Sequence, residues 1–193
     1  MDHDLDVPFM RTASNRSACR PLAECAAFCT AVGLLCDYFT ASSAAEAEQT
    51  LDWLGGPSSP PPAKGLLRRR ASGSAHPTVS LPGVEPTMWM SKLEEILTGR
   101  SFEDFLQDPT GKVTAMRDGG ERLIVPMTSN LQSALLGLEA ERIAGVAEEW
   151  AAPDADRGTG TEPEIAANAL RALVDLVRAG HERGESLYCW LCV

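Results

Sequence analysis

Leu187-Tyr188-Cys189-Trp190-Leu191-Cys192-Val193 closes the sequence, and every residue in it is apolar or aromatic. Side chains along a strand point alternately to opposite faces, so a strand with one wet face alternates apolar with polar residues. This stretch does not alternate. Apolarity on both faces predicts a strand at the centre of a sheet, covered on two sides. The same geometry disposes of the CxxC spacing of Cys189 and Cys192. Three positions apart on a strand, the thiols face opposite ways and lie roughly 10 Å apart along the axis. A zinc ion needs both within about 2.3 Å of a shared centre, so the pair reads as core packing.

Working back along the chain, residues 163–183 carry Ala166, Leu170, Leu173, Val174 and Val177 at helical spacing, with Arg171, Asp175, Arg178 and Glu182 on the other face. That is the pattern of a long helix laid on a core, ended by Gly184. Residues 153–163 read as a polar loop. Before it, Ile143, Val146, Ala147 and Trp150 mark one helix, and Leu131, Leu135 and Leu138 mark another, with Ser129 and Gln132 as its capping box. Lys112 to Met127 predicts a hairpin turning at Asp118-Gly119-Gly120, with Leu123-Ile124-Val125 as its buried arm. Ser101 caps a short helix in which Phe102, Phe105 and Leu106 share a face. Glu85-Pro86 opens a helix through Met88, Trp89, Leu93, Ile96 and Leu97 to Gly99. The acid pairs Glu94-Glu95 and Glu148-Glu149 diverge by about 100° on their helices and read as solvated.

The N-terminal half of the sheet is predicted from Gly33-Leu34-Leu35-Cys36-Asp37-Tyr38-Phe39-Thr40, a strand followed by a helix from Ala44 to Leu54. Thr78 to Val84 is a second short strand. Between them, Gly55 to Thr78 holds no acid but has Lys64, Arg68, Arg69 and Arg70, and its Pro-Ser-Ser-Pro-Pro-Pro run excludes helix and ladder. This basic segment reads as a disordered insert at 55–78. Its Arg69-Arg70-Ala71-Ser72 string has the form of a kinase site at Ser72. The fold class expected is α+β (α/β-like), a single domain over residues 32–193. One small mixed sheet holds the N-terminal and C-terminal strands and is packed by five or six helices.

Residues 1–31 show neither hydrophobic period in their first twenty positions and read as disordered. Arg11, Arg16 and Arg20 before the apolar stretch 21–35 imitate a secretory signal, but Asp2, Asp4 and Asp6 spoil its cationic start and Glu24 interrupts the run. With Cys19, Cys25 and Cys29 in this region, only Cys36, Cys189 and Cys192 fall in the domain, too few for a disulfide scaffold, which favours a reducing, cytoplasmic setting.

A net charge of −10 disfavours nucleic acid as a partner, because neutralising phosphates needs a basic face. No run reaches the roughly 18 apolar residues of a membrane span. No GxGxxG or GxxxxGK[ST] loop is present, so no cofactor is expected, and no ligand set suggests a metal. Candidate acid/base residues reduce to three. Asp37 is the one charge in an apolar strand, either at a sheet edge or buried with a partner, where burial would raise its pKa. Tyr38 follows it. His181 stands in the last turn of the long helix; His3 lies in the tail and His76 in the insert.

Asp37-Tyr38-Phe39 ending the first strand, Leu97-Thr98-Gly99 closing a helix, and a long helix leading into a terminal strand resemble uncharacterised actinobacterial proteins and, more distantly, the YfbM-like domain of unknown function. The Ala, Gly, Arg and Pro richness is likewise that of a GC-rich bacterial genome. The resemblance covers about residues 33–193, with 55–78 as an insertion. It implies a Trp and a His in the helix before Leu-Thr-Gly; Trp89 is present, and Glu94 stands near the place of the His. It also implies that residues 1–31 are a mis-annotated extension, with translation starting at Val32. The function expected is that of a non-enzymatic protein-interaction module, immunity- or antitoxin-like, whose acidic face meets a basic protein. The competing expectation is a small hydrolase or transferase with an acid/base pocket around Asp37 and His181.

Overall fold

The computed structural model describes residues 33–61 and 75–193. The expectations placed on residues 1–31, on Lys64 and Arg68–Arg70, and on Ser72 lie outside the described residues. Among these residues five strands form one sheet: β1 (Leu35–Ala41), β2 (Thr78–Ser80), β3 (Ala115–Arg117), β4 (Arg122–Pro126) and β5 (Ser186–Cys192). Their spatial order is β2-β1-β5-β4-β3. The two-sided apolar strand is therefore the central one, flanked by β1 over its whole length and by β4. Every pairing is antiparallel, so the sheet is not mixed as expected. A parallel neighbour needs a crossover that carries the chain back to the opposite end of the sheet from the one it left. Here the helical excursion between β4 and β5 re-enters at the end where it left, with Pro126 opposite Tyr188, and the two strands run antiparallel.

Among the described residues, six α-helices pack around this sheet: α1 (Ala44–Gln49), α2 (Met88–Thr98), α3 (Phe102–Gln107), α4 (Ser129–Leu136), α5 (Ile143–Ala151) and α6 (Pro163–Glu182). Alternation along the strands divides the interior into two unequal layers. Cys36, Tyr38, Val125, Leu187, Cys189 and Leu191 point to the thick layer, where α2, α4, α5 and α6 bring Leu93, Leu131, Trp150, Leu170 and Leu173. Phe39, Ala41, Ile124, Tyr188, Trp190 and Cys192 point to a thin layer closed by Ala47 and Leu51 from α1 and the 3-10 turn after it. Arginines of the hairpin strands fasten that cover: the Arg122 guanidinium donates to the Leu51 carbonyl, and Arg117 Nε lies 3.2 Å from an Asp52 oxygen. Cys189 and Cys192 do point into opposite layers. Cys36 and Cys189 are free thiols, whereas Cys192 is disulfide-bonded, so the expectation of reduced core cysteines does not extend to it.

Local chemistry explains where elements start and stop. Ser43 caps α1 by accepting from the Glu46 amide, and Ser101 with Asp104 forms a reciprocal capping box on α3. The cap of α4 is Thr128, one residue before the Ser129 expected, because its hydroxyl accepts from the Leu131 amide at 3.1 Å. Gln132 does not reach back to the cap. Its side chain donates to the Met127 carbonyl and accepts from the Leu187 amide, stitching α4 to β5. Helix α2 begins at Met88, not at Pro86, with the Glu85 carboxylate accepting from the amides of Thr87 and Met88. Strand β2 spans only Thr78–Ser80, but bonding to β1 continues past it: the Leu81 amide donates to the Cys36 carbonyl at 2.8 Å and the Gly83 amide to the Leu34 carbonyl at 3.0 Å. In α3 Phe105 is buried, but Leu106 is 44 % exposed and does not share its packing.

Candidate functional site

The three candidate acid/base residues do not converge on one cleft. Asp37 sits in the middle of β1, paired with Ser80 on one side and Trp190 on the other. It is neither at the sheet edge nor buried with a partner: the residue is half-buried on the thin layer, and its carboxylate makes no hydrogen bond among the described residues. Gly56 passes close over it, so that a Cβ on Gly56 would lie 3.2 Å from an Asp37 carboxylate oxygen. Tyr38 necessarily points the other way, into the thick layer. It is fully buried, and its hydroxyl donates to the Val84 carbonyl at 2.7 Å. Burial, reinforced by the neighbouring Cys189 and Cys36 thiols, pushes its pKa well above that of a free tyrosine. His181 is exposed in the last turn of α6.

Charge is instead concentrated where the sequence suggested none. Glu94, expected to be solvated, is fully buried in α2. Arg100 Nη1 lies 2.5 Å from its Oε1 and 3.0 Å from Asp108 Oδ2, and the Thr128 hydroxyl donates to the other Glu94 oxygen. Asp108 completes the cluster, accepting from the Thr110 amide and hydroxyl and from Asn130. The Thr110 hydroxyl bond, ahead of the Arg100 guanidinium, holds the Asp108 carboxyl below the usual range. These groups tie α2, α3 and α4 together, and each carboxylate has its partners. The arrangement is a buried polar fastening. Glu95 is half-buried and paired with Arg157, whose guanidinium also lies 2.8 Å from Asp154 and packs over the Phe102 ring. Lys92, also buried, donates to the Ala152 carbonyl at the C-terminus of α5, where a cation suits the helix dipole. Burial lowers its pKa.

A second polar corner forms where the chain returns from the insert. His76 Nδ1 lies 2.9 Å from the Thr40 carbonyl. A carbonyl only accepts, so Nδ1 is the donor in this contact. The ring stacks on Trp53 at 5.6 Å and meets Phe39 edge-on at 5.3 Å, while the His76 amide donates to the Pro57 carbonyl at 3.0 Å. Close by, the Thr40 hydroxyl donates to Glu185 Oε2 at 2.7 Å, and Arg183 Nη2 lies 2.7 Å from the same oxygen. The Arg183 bond lowers the Glu185 pKa. Sequence reading left His76 in the insert. Only the long-range pairing of its neighbours with Thr40, Trp53 and Phe39 shows its place.

One segment of the helical layer is markedly acidic. From Glu139 to Glu164 there are eight acidic side chains against Arg142 and Arg157, a net −6 out of the chain's −10. Glu139, Glu141, Glu148, Glu149, Asp156, Glu162 and Glu164 are all exposed, and Arg157 is committed to Asp154 and Glu95. The end of α5 and the start of α6 are brought together by the Thr161 amide, which donates to the Ala151 carbonyl at 3.0 Å. Meanwhile Ile143, Val146, Ala147 and Trp150 bury the inner face of α5 and fix which side presents its glutamates. The expected solvation of Glu148 and Glu149 is what the structure has.

The class defined by these observations is a small α+β protein with one antiparallel sheet, unequally covered on its two faces. No family model, no curated protein and no solved structure matches the chain. Among the described residues, no helix is long and apolar enough to cross a membrane, and no cluster of His, Cys, Asp and Glu could hold a metal ion.

Proposed function

We propose that the chain is a non-enzymatic protein-interaction module, and that it meets a basic protein partner through the acidic junction of α5 and α6. The observation that carries this reading is the net −6 over Glu139–Glu164, with seven of its eight acids exposed and its one deeply placed cation, Arg157, already spent internally. An uncompensated field of one sign speeds and orients association with the opposite sign. An immunity- or antitoxin-like role is one form such a module takes. Asp37 lies on the thin-layer face of β1 and His181 is exposed on α6, which packs on the other face; this supports binding over the alternative, a hydrolase or transferase using Asp37 and His181.

A cytoplasmic setting belongs to the same proposal, and the bonded Cys192 is the observation that weighs against it. Thiol counting on protein from the native host, with and without reductant, decides that point.

The test of the proposed function is affinity purification from that host with the wild-type chain and with Glu148→Lys/Glu149→Lys/Glu162→Lys. A basic protein retained by the wild type at low salt, released by added salt and lost from the variant is the expected result. Equal retention by both chains, or a partner without basic character, rejects the reading.

A further inference from the structure

No further inference is drawn: the strongest candidate, the polar corner at the end of β1 where His76 meets Thr40, Trp53, Phe39 and the Glu185–Arg183 pair, is accounted for by its fastening of the chain to the sheet, and nothing in the structure points to a ligand there.

Discussion

Gly180, in the last turns of α6, lies against Thr40 of the sheet, and replacing it with alanine tests the packing of the thick layer directly. A Cβ at this position would lie 2.6 Å from Thr40 Cγ2 and 3.0 Å from Thr40 Cβ. Thr40 has little freedom to yield. It is 1 % exposed, its χ1 is stiff because it is β-branched, and its hydroxyl is held by Glu185 and Arg183. Two terms oppose each other. Alanine improves helix propensity by up to about 1 kcal/mol in a helix interior and by less this near the end. Forcing an extra methyl into a close-packed contact costs about 1–3 kcal/mol. The clash wins, for a net loss of roughly 1–2 kcal/mol, or about 2–8 °C in Tm for a chain of this size.

Thr40→Ser isolates the cause, because it removes the methyl at 2.6 Å and keeps the hydroxyl that binds Glu185. Thermal and urea unfolding of Gly180→Ala, Thr40→Ser and the double variant complete the cycle. The double variant is expected to be more stable than the sum of the two single losses by about 1 kcal/mol. Additive losses, or a Gly180→Ala chain as stable as the wild type, would refute the close helix–sheet contact.

Three further outcomes follow from other parts of the molecule. Arg100→Met strands the fully buried Glu94 without its cation, so it lowers the urea midpoint more than the Arg100→Met/Glu94→Gln pair does; the reverse order would remove the buried ion pair from the account. Trp190→Ala, at a position 4 % exposed on the central strand, destabilises by roughly 3–5 kcal/mol in equilibrium unfolding, and an unchanged midpoint would move β5 to the surface. The depressed carboxyls of Asp108 and Glu185 make stability acid-sensitive in a defined direction. Their folded pKa values lie below the unfolded ones, so their contribution is complete above about pH 4–5 and is lost as pH falls through the folded values. Urea midpoints measured from pH 7 down to 3 should therefore hold and then fall, and Asp108→Asn should flatten the fall.

How much of this was legible in the sequence depended on the range of the interaction. The central place of β5 was readable because apolarity on both faces of a strand has one physical cause, cover on both faces. Helices α5 and α6 were readable from their stripes. The caps were readable to within a residue: Thr128 and Ser129 are equivalent by type, and only the hydroxyl's reach to the Leu131 amide separates them. Glu94 was misread for a different reason. An acid next to another acid on a helix looks solvated, and its burial depends on Arg100, Thr128 and Asp108 arriving from three other segments. His76 was hidden in the same way, 36 residues from the Thr40 carbonyl it meets. Asp37 was singled out correctly as a polar oddity, but alternation alone already placed Tyr38 in the opposite layer, so the pair could not share a pocket.

Where the charges went bears on what the molecule can do. A buried carboxylate acts as an acid or base when something withholds its partner and leaves its proton affinity tuned for exchange. Glu94 and Asp108 have no such freedom: each is bonded to Arg100, and Thr128, Thr110 and Asn130 occupy further acceptor positions. Asp37 has the opposite character, half-buried beside Gly56 and Trp190 with no side-chain hydrogen bond among the described residues, but no second titratable side chain is paired with it across the sheet. The glutamates of α5 differ from both. Their backbone is fixed by Trp150, whose Nε1 donates to the Trp89 carbonyl, while their carboxylates face water without a committed cation. A rigid scaffold carrying unspent charge of one sign is what recognition of an oppositely charged surface requires, and chemistry on a small substrate requires something else: a pocket in which acid and base converge.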